Sequence, residues 1–151
     1  MLAETMQAQE FITRWDLSAP GSSPTSISFN TETTGPVAYS WETVPAGSIG
    51  NGLLGNGNNT ISGIPATAVI RVRINATNFS RIILQGSPDR LRLKDIEQWG
   101  SVAWANMEAA VVYCDSLQVS ANDIPNLDSV SSMKYMFYGC YALNLPNSAG
   151  N

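Results

Sequence analysis

Met107-Glu-Ala-Ala-Val-Val-Tyr-Cys-Asp-Ser-Leu117 aligns residue for residue with Met133-Lys-Tyr-Met-Phe-Tyr-Gly-Cys-Tyr-Ala-Leu143, at a separation of 26. Leu91, Leu117 and Leu143 keep the same interval. Self-similarity at this period is the signature of a solenoid, in which each repeat stacks on its neighbours. Within each copy the apolar residues fall at i, i+3, i+4 and i+7: Met107, Ala110, Val111 and Cys114, then Met133, Met136, Phe137 and Cys140. That spacing predicts a helix with one apolar stripe. Short strands are expected at Leu91/Leu93, Leu117/Val119 and Leu143/Leu145. Stacked in parallel about 4.8 Å apart, they would bury a leucine ladder and expose Arg92, Gln118 and Asn144 in a row. Strand, loop, helix and return make a leucine-rich-repeat pattern. Residues 87–151 are therefore read as two full repeats and a partial third.

Upstream the texture changes to short β-type runs broken by turns. Phe11-Ile-Thr-Arg-Trp15, Ser26-Ile-Ser-Phe29 and Val37-Ala-Tyr-Ser-Trp41 read as strands, and Gly47 to Gly63 is dominated by Gly and Asn. The clearest strand is Ala68 to Ile74, where Ile70, Val72 and Ile74 alternate with Arg71 and Arg73. Residues 1–9 read as a tail and residues 10–86 as a small antiparallel β-sandwich. The fold class expected is α+β, with the sandwich packed on a short β/α solenoid and capping its N-terminal end.

Composition narrows the function. The chain has no histidine, which removes the commonest general base and metal ligand. Its two cysteines cannot make a disulfide framework. The acidic residues show neither calcium-loop spacing nor a convergent carboxylate pair. No catalytic residue, cofactor site or metal site is assigned. A net charge of −4 gives no support for nucleic-acid binding. No run approaches the roughly 18 apolar residues that span a bilayer, so membrane insertion is not expected, and no signal peptide is visible.

The segment Ser129-Val-Ser-Ser-Met-Lys-Tyr-Met-Phe-Tyr-Gly-Cys-Tyr-Ala-Leu143 resembles the 26-residue repeat of BspA-like bacterial surface proteins, which reads V-x-x-M-x-x-M-F-x-x-C-x-x-L. Ile96-Glu-Gln-Trp-Gly100 resembles the lead-in to a first such repeat, and Phe11-Ile-Thr-Arg-Trp15 the opening of the sandwich that often precedes the array. Where that sandwich commonly carries W-G-D-G, this chain has Trp41-Glu-Thr-Val. The resemblance is strong over residues 90–145. It implies surface display, adhesion or recognition, including in bacteriophage particle proteins, and no enzymatic activity. The expectation is a virion surface or an extracellular or cell-surface location.

Two roles follow. In one, the chain is a structural subunit of a larger assembly, such as a phage decoration or fibre protein. The open repeat end is then buried by a neighbouring subunit through Tyr135, Tyr138, Tyr141, Leu143 and Leu145, because tyrosine suits interfaces with one wet side. A start at Met1 with no leader favours this role over a fragment of a longer repeat protein. In the other, the chain is an adhesin module that binds a surface glycan or host protein. Six of the eight basic residues, Arg71, Arg73, Arg81, Arg90, Arg92 and Lys94, fall in one stretch opposed in sequence only by Asp89. They could grip an anionic partner, although clustered charge is more often a solvated face. Cys114 and Cys140, on the apolar stripe, read as structural thiols.

Overall fold

The computed structural model describes residues 9–143. It contains nine strands: β1 (Phe11–Asp16), β2 (Ile27–Thr33), β3 (Val37–Thr43), β4 (Ile49–Leu54), β5 (Gly57–Ile61), β6 (Val69–Ile74), β7 (Phe79–Ile83), β8 (Leu93–Gln98) and β9 (Gln118–Val119). They form a six-stranded sheet in the order β4-β3-β6-β1-β8-β9 and a three-stranded sheet in the order β5-β2-β7. Alternation explains the layering. Ile70, Val72 and Ile74 of β6 are buried while Arg71 and Arg73 between them are only partly covered. In β1, Phe11 and Trp15 enter the core with Thr13, whose hydroxyl accepts the Trp15 Nε1–H at 2.8 Å.

The expected α+β class is corrected: the fold is nearly all β. Among the described residues the sole helical element is the 3-10 turn Arg90–Arg92. The two predicted helices are instead runs of tight turns. Ala110 N–H bonds Met107 O and Cys114 N–H bonds Val111 O; one period later Met136 bonds Met133 and Cys140 bonds Phe137. The third residue of each turn, Ala109, Tyr113, Tyr135 and Gly139, has a left-handed φ of 53°, 56°, 59° and 76°. An i+3 to i bond with positive φ at i+2 alone is the mark of a type II turn. Four-residue turns laid end to end bring their first and last residues to one side. They therefore produce i, i+3, i+4, i+7 spacing as a helix does, and periodicity alone does not separate the two.

The backbone bonds decide between them. The N–H groups of Met107, Ala109, Val111 and Tyr113 donate to the carbonyls of Ser132, Lys134, Met136 and Tyr138 at 2.9, 2.9, 3.1 and 2.7 Å. A helix would satisfy those groups internally; here they join one tier to the next. Val111-Val112 and Gly139 also lower helix propensity.

The strand register is corrected as well. Asp95 pairs with Gln118 and Ile96 with Val119, an offset of 23 rather than 26. Leu91 and Arg92 thus belong to the 3-10 turn, Leu91 is only partly covered and Arg92 is buried. The expected exposed row of Arg92 and Gln118 does not form, and Asn144 lies outside the described residues.

β8 lies between β1 and β9, so the large sheet runs unbroken from the sandwich into the repeats. The small sheet is continued too: Ala105 N–H bonds Ser80 O beside β7, and Ser131 N–H bonds Ala105 O one tier further. The two faces of the sandwich become the two walls of the stack. One core follows, in which Met107, Val111, Cys114, Leu117 and Met136 join Phe11, Trp15 and Phe79. Trp104 marks the junction, edge-on to Phe11 at 5.0 Å and to Phe79 at 5.5 Å.

Candidate functional site: the last tier and its tyrosine groove

The basic stretch does not gather into one cationic patch. Arg71 and Arg73 lie on β6 in the large sheet and Arg81 on β7 in the small one. Arg71 makes a two-pronged pair with Glu97 at 2.9 and 3.1 Å, and Arg73 reaches Glu42 at 3.0 Å. Arg81 bonds Glu32 at 2.8 Å and the Glu108 carbonyl at 2.9 Å. Arg90 donates to Ser87 O at 3.3 Å. Burial works to raise the Asp16 carboxyl, but the side-chain and backbone hydrogen bonds from Ser18, with a smaller charge contribution from Lys94, hold it below its ordinary value. Two of the opposing carboxylates come from adjacent strands, Glu42 standing across from Arg71 and Glu32 across from Arg81, and Glu97 reaches Arg71 from β8, two strands away. Only strand register brings them there.

Arg92 is a structural clamp. Its Nε donates to Ala19 O at 2.9 Å and its Nη1 to Ser23 O, Ser26 O and Asp89 Oδ1 at 2.6, 2.9 and 3.2 Å. Asp89, fully buried, also accepts Ser22 N–H, Ser22 O–H and Ser28 N–H at 2.9, 2.8 and 2.8 Å. Gly21 packs so tightly on this pair that any side chain there would collide with it. Asp95 and Asp123 act similarly between tiers: Asp95 accepts the backbone and hydroxyl of Ser120, and Asp123 the N–H groups of Trp99 and Gly100.

The far end of the stack is different. Every carbonyl from Ser132 to Gly139 already accepts a hydrogen bond, alternately from the tier above and from its own segment, and Cys140 O accepts from Leu143. The N–H groups of Met133, Tyr135, Phe137 and Gly139 have no partner among the described residues. Each lies 26 residues after a donor of the previous tier that is bonded. Among the described residues, the last tier therefore offers a row of four alternate donors and no free acceptor along that row.

Beside this edge stand the exposed tyrosines. Tyr135, Tyr138 and Tyr141 are 55%, 57% and 82% exposed. Sequence reasoning missed Tyr113, 45% exposed, which contacts Tyr138 edge-on at 5.5 Å; Tyr138 meets Tyr135 in the same way at 5.8 Å. Its signal was present in the repeat: Tyr113 precedes Gly139 by 26 residues, and the absent side chain of Gly139 leaves room for the Tyr113 ring. Gln85, Ala109, Val112, Tyr113, Tyr135 and Tyr138 line an open groove of about 290 Å³. Leu143 is partly buried, and Leu145 lies outside the described residues.

No protein family, curated protein or solved structure matches this chain. The chemistry of the last tier is the guide to function.

Tyr113 and Tyr135 hold left-handed backbone angles that glycine adopts freely and that cost other residues about 1–2 kcal/mol. Exposed rings return little of that cost through burial. Such strain concentrates at functional positions. Cys114 is fully buried and burial pushes its thiol well above its ordinary value. Cys140 is half-buried, also raised chiefly by burial, and its Sγ–H donates to Val111 O at 3.1 Å. Both are free thiols. Among the described residues, no three His, Cys, Asp or Glu side chains gather as a metal site, and no helix is long and apolar enough to cross a membrane.

Proposed function

We propose that this protein is a non-catalytic structural subunit of a larger surface assembly, docking a neighbour onto its last described repeat tier. The row of N–H groups at Met133, Tyr135, Phe137 and Gly139, without a partner among the described residues, carries this reading. Unpaired strand-like edges are templates for another chain, and this one already repeats the geometry that joins its own two tiers. Tyr135, Tyr138 and Tyr141 flank the edge and supply the large amphipathic side chains that interfaces favour. The resemblance to BspA-like repeats supports display on a particle or cell, a phage decoration or fibre protein being the specific form proposed.

The donor-only character limits the partner. Two copies meeting tip to tip about a two-fold axis would set N–H against N–H. The contact is therefore heterologous, joining this edge to a different surface that presents carbonyls. Amide hydrogen exchange tests this. The four N–H groups exchange rapidly in the isolated chain and become protected in the native assembly. Continued rapid exchange in the assembly, or a symmetric tip-to-tip dimer, refutes the proposal.

A further inference from the structure

We infer that the groove formed by Gln85, Ala109, Val112, Tyr113, Tyr135 and Tyr138 binds a neutral saccharide. The groove shares Tyr135 and Tyr138 with the flank of the docking edge, but saccharide binding is read on the isolated chain and stands whether or not that edge docks a neighbour.

Three observations converge. The first is the backbone: two of the three rings sit on left-handed residues. At the matching places of the other tier the same turn carries Ala109 and Gly139, so the turn itself does not call for tyrosine. The second is preorganisation. Tyr138 is edge-on to both Tyr113 and Tyr135, at interplanar angles of 77° and 71°. Tyr113 lies in the space left by Gly139, and Lys134 Nζ sits 4.9 Å from the Tyr135 ring centre. A ligand meeting rings already held in place loses less freedom on binding.

The third is the lining chemistry. None of the six residues carries a charge at neutral pH. The lining combines three phenol rings and the Gln85 amide with the almost fully buried Ala109 and Val112. A sugar ring has the matching character, with apolar C–H faces and a hydroxyl rim. A sulfated glycan or nucleic acid would bring anionic groups to a lining that holds no basic side chain, in a chain of net charge −4. A volume of about 290 Å³ is at the small end for ligand sites and suits one or two sugar units rather than a folded partner.

The test is a glycan array of neutral oligosaccharides, including malto-, cello- and chito-oligomers, followed by calorimetric titration of those that bind. At least one neutral oligosaccharide should bind saturably. Tyr138→Ala, at an exposed position, should weaken it by about tenfold or more, whereas Tyr138→Phe, which keeps the ring, should stay within about threefold. Equal melting temperatures of the three proteins show that the fold is retained. Gly139→Ala, which displaces the Tyr113 ring, should weaken the same ligand without touching Tyr138. If every neutral saccharide is inert, or if binding survives Tyr138→Ala unchanged, the inference is overturned.

Discussion

Replacing Arg92 by Met separates a structural arginine from a ligand-binding one. The guanidinium is 5% exposed beside an Asp89 side chain of 0% exposure, and it closes the loop Ala19 to Ser28 through three carbonyls. Methionine keeps much of the stem volume but removes all four bonds. Asp89 is left as a buried carboxylate, and breaking such a pair typically costs about 3–5 kcal/mol. Three donors from Ser22 and Ser28 remain on Asp89, so the expected loss lies near the lower end, about 3 kcal/mol. At this chain length that corresponds to a fall in Tm of about 6–12 °C. Arg73→Met is the control. Its pair with Glu42 is 37% and 35% exposed, and exposed pairs contribute about 0–1 kcal/mol. Urea unfolding of both variants, followed by tryptophan fluorescence, gives the comparison. If Arg92→Met unfolds within about 1 kcal/mol of the wild type, level with Arg73→Met, the clamp is not structural and the argument fails.

Other outcomes follow from the same structure. Cys114 should resist a thiol reagent at pH 8 in the folded chain while Cys140 reacts slowly, and both should react at once in urea; rapid labelling of Cys114 without unfolding would contradict its burial. Arg73 first, and then Arg71, hold the Glu42 carboxyl below its ordinary value. The stability Glu42 contributes is therefore present above the usual carboxylate range and lost as pH falls through the lowered value. Wild type and Glu42→Gln should differ in urea midpoint at pH 7 and converge in acid. Gly139→Ala combines a left-handed backbone with a clash against Tyr113 and should cost about 1–3 kcal/mol. It should also change the near-ultraviolet tyrosine signal, and an unaltered spectrum would mean that Tyr113 does not rest on Gly139.

The period of 26, the alternation of Ile70, Val72 and Ile74, and the turn-rich stretch after Gly47 were all legible in the sequence, and each corresponds to a feature of the fold. Met107 to Cys114 was not read correctly, because a chain of type II turns and a helix place apolar residues at the same intervals. Gly139 and the Val111-Val112 pair argued against a helix, but propensity is weak beside periodicity. The partners of the basic stretch were hidden for a different reason. Charge counted along the chain cannot see Glu32 and Glu42, which adjacent strands bring opposite the arginines, or Glu97, which reaches Arg71 from β8, two strands away.

By itself the sequence determined that residues 107–117 and 133–143 must occupy equivalent places, because only equivalent surroundings select the same spacing twice. It also determined which faces are apolar. Tertiary structure decided how the backbone of those segments is satisfied: Met107, Ala109, Val111 and Tyr113 donate to the next tier instead of to their own turn. A hydrogen-bond partner 25 residues away leaves no trace in local composition. The same bonds leave Met133, Tyr135, Phe137 and Gly139 as the open edge and bring Tyr113 beside Tyr138, because stacking sets one tier on the next and the last described tier has none beyond it.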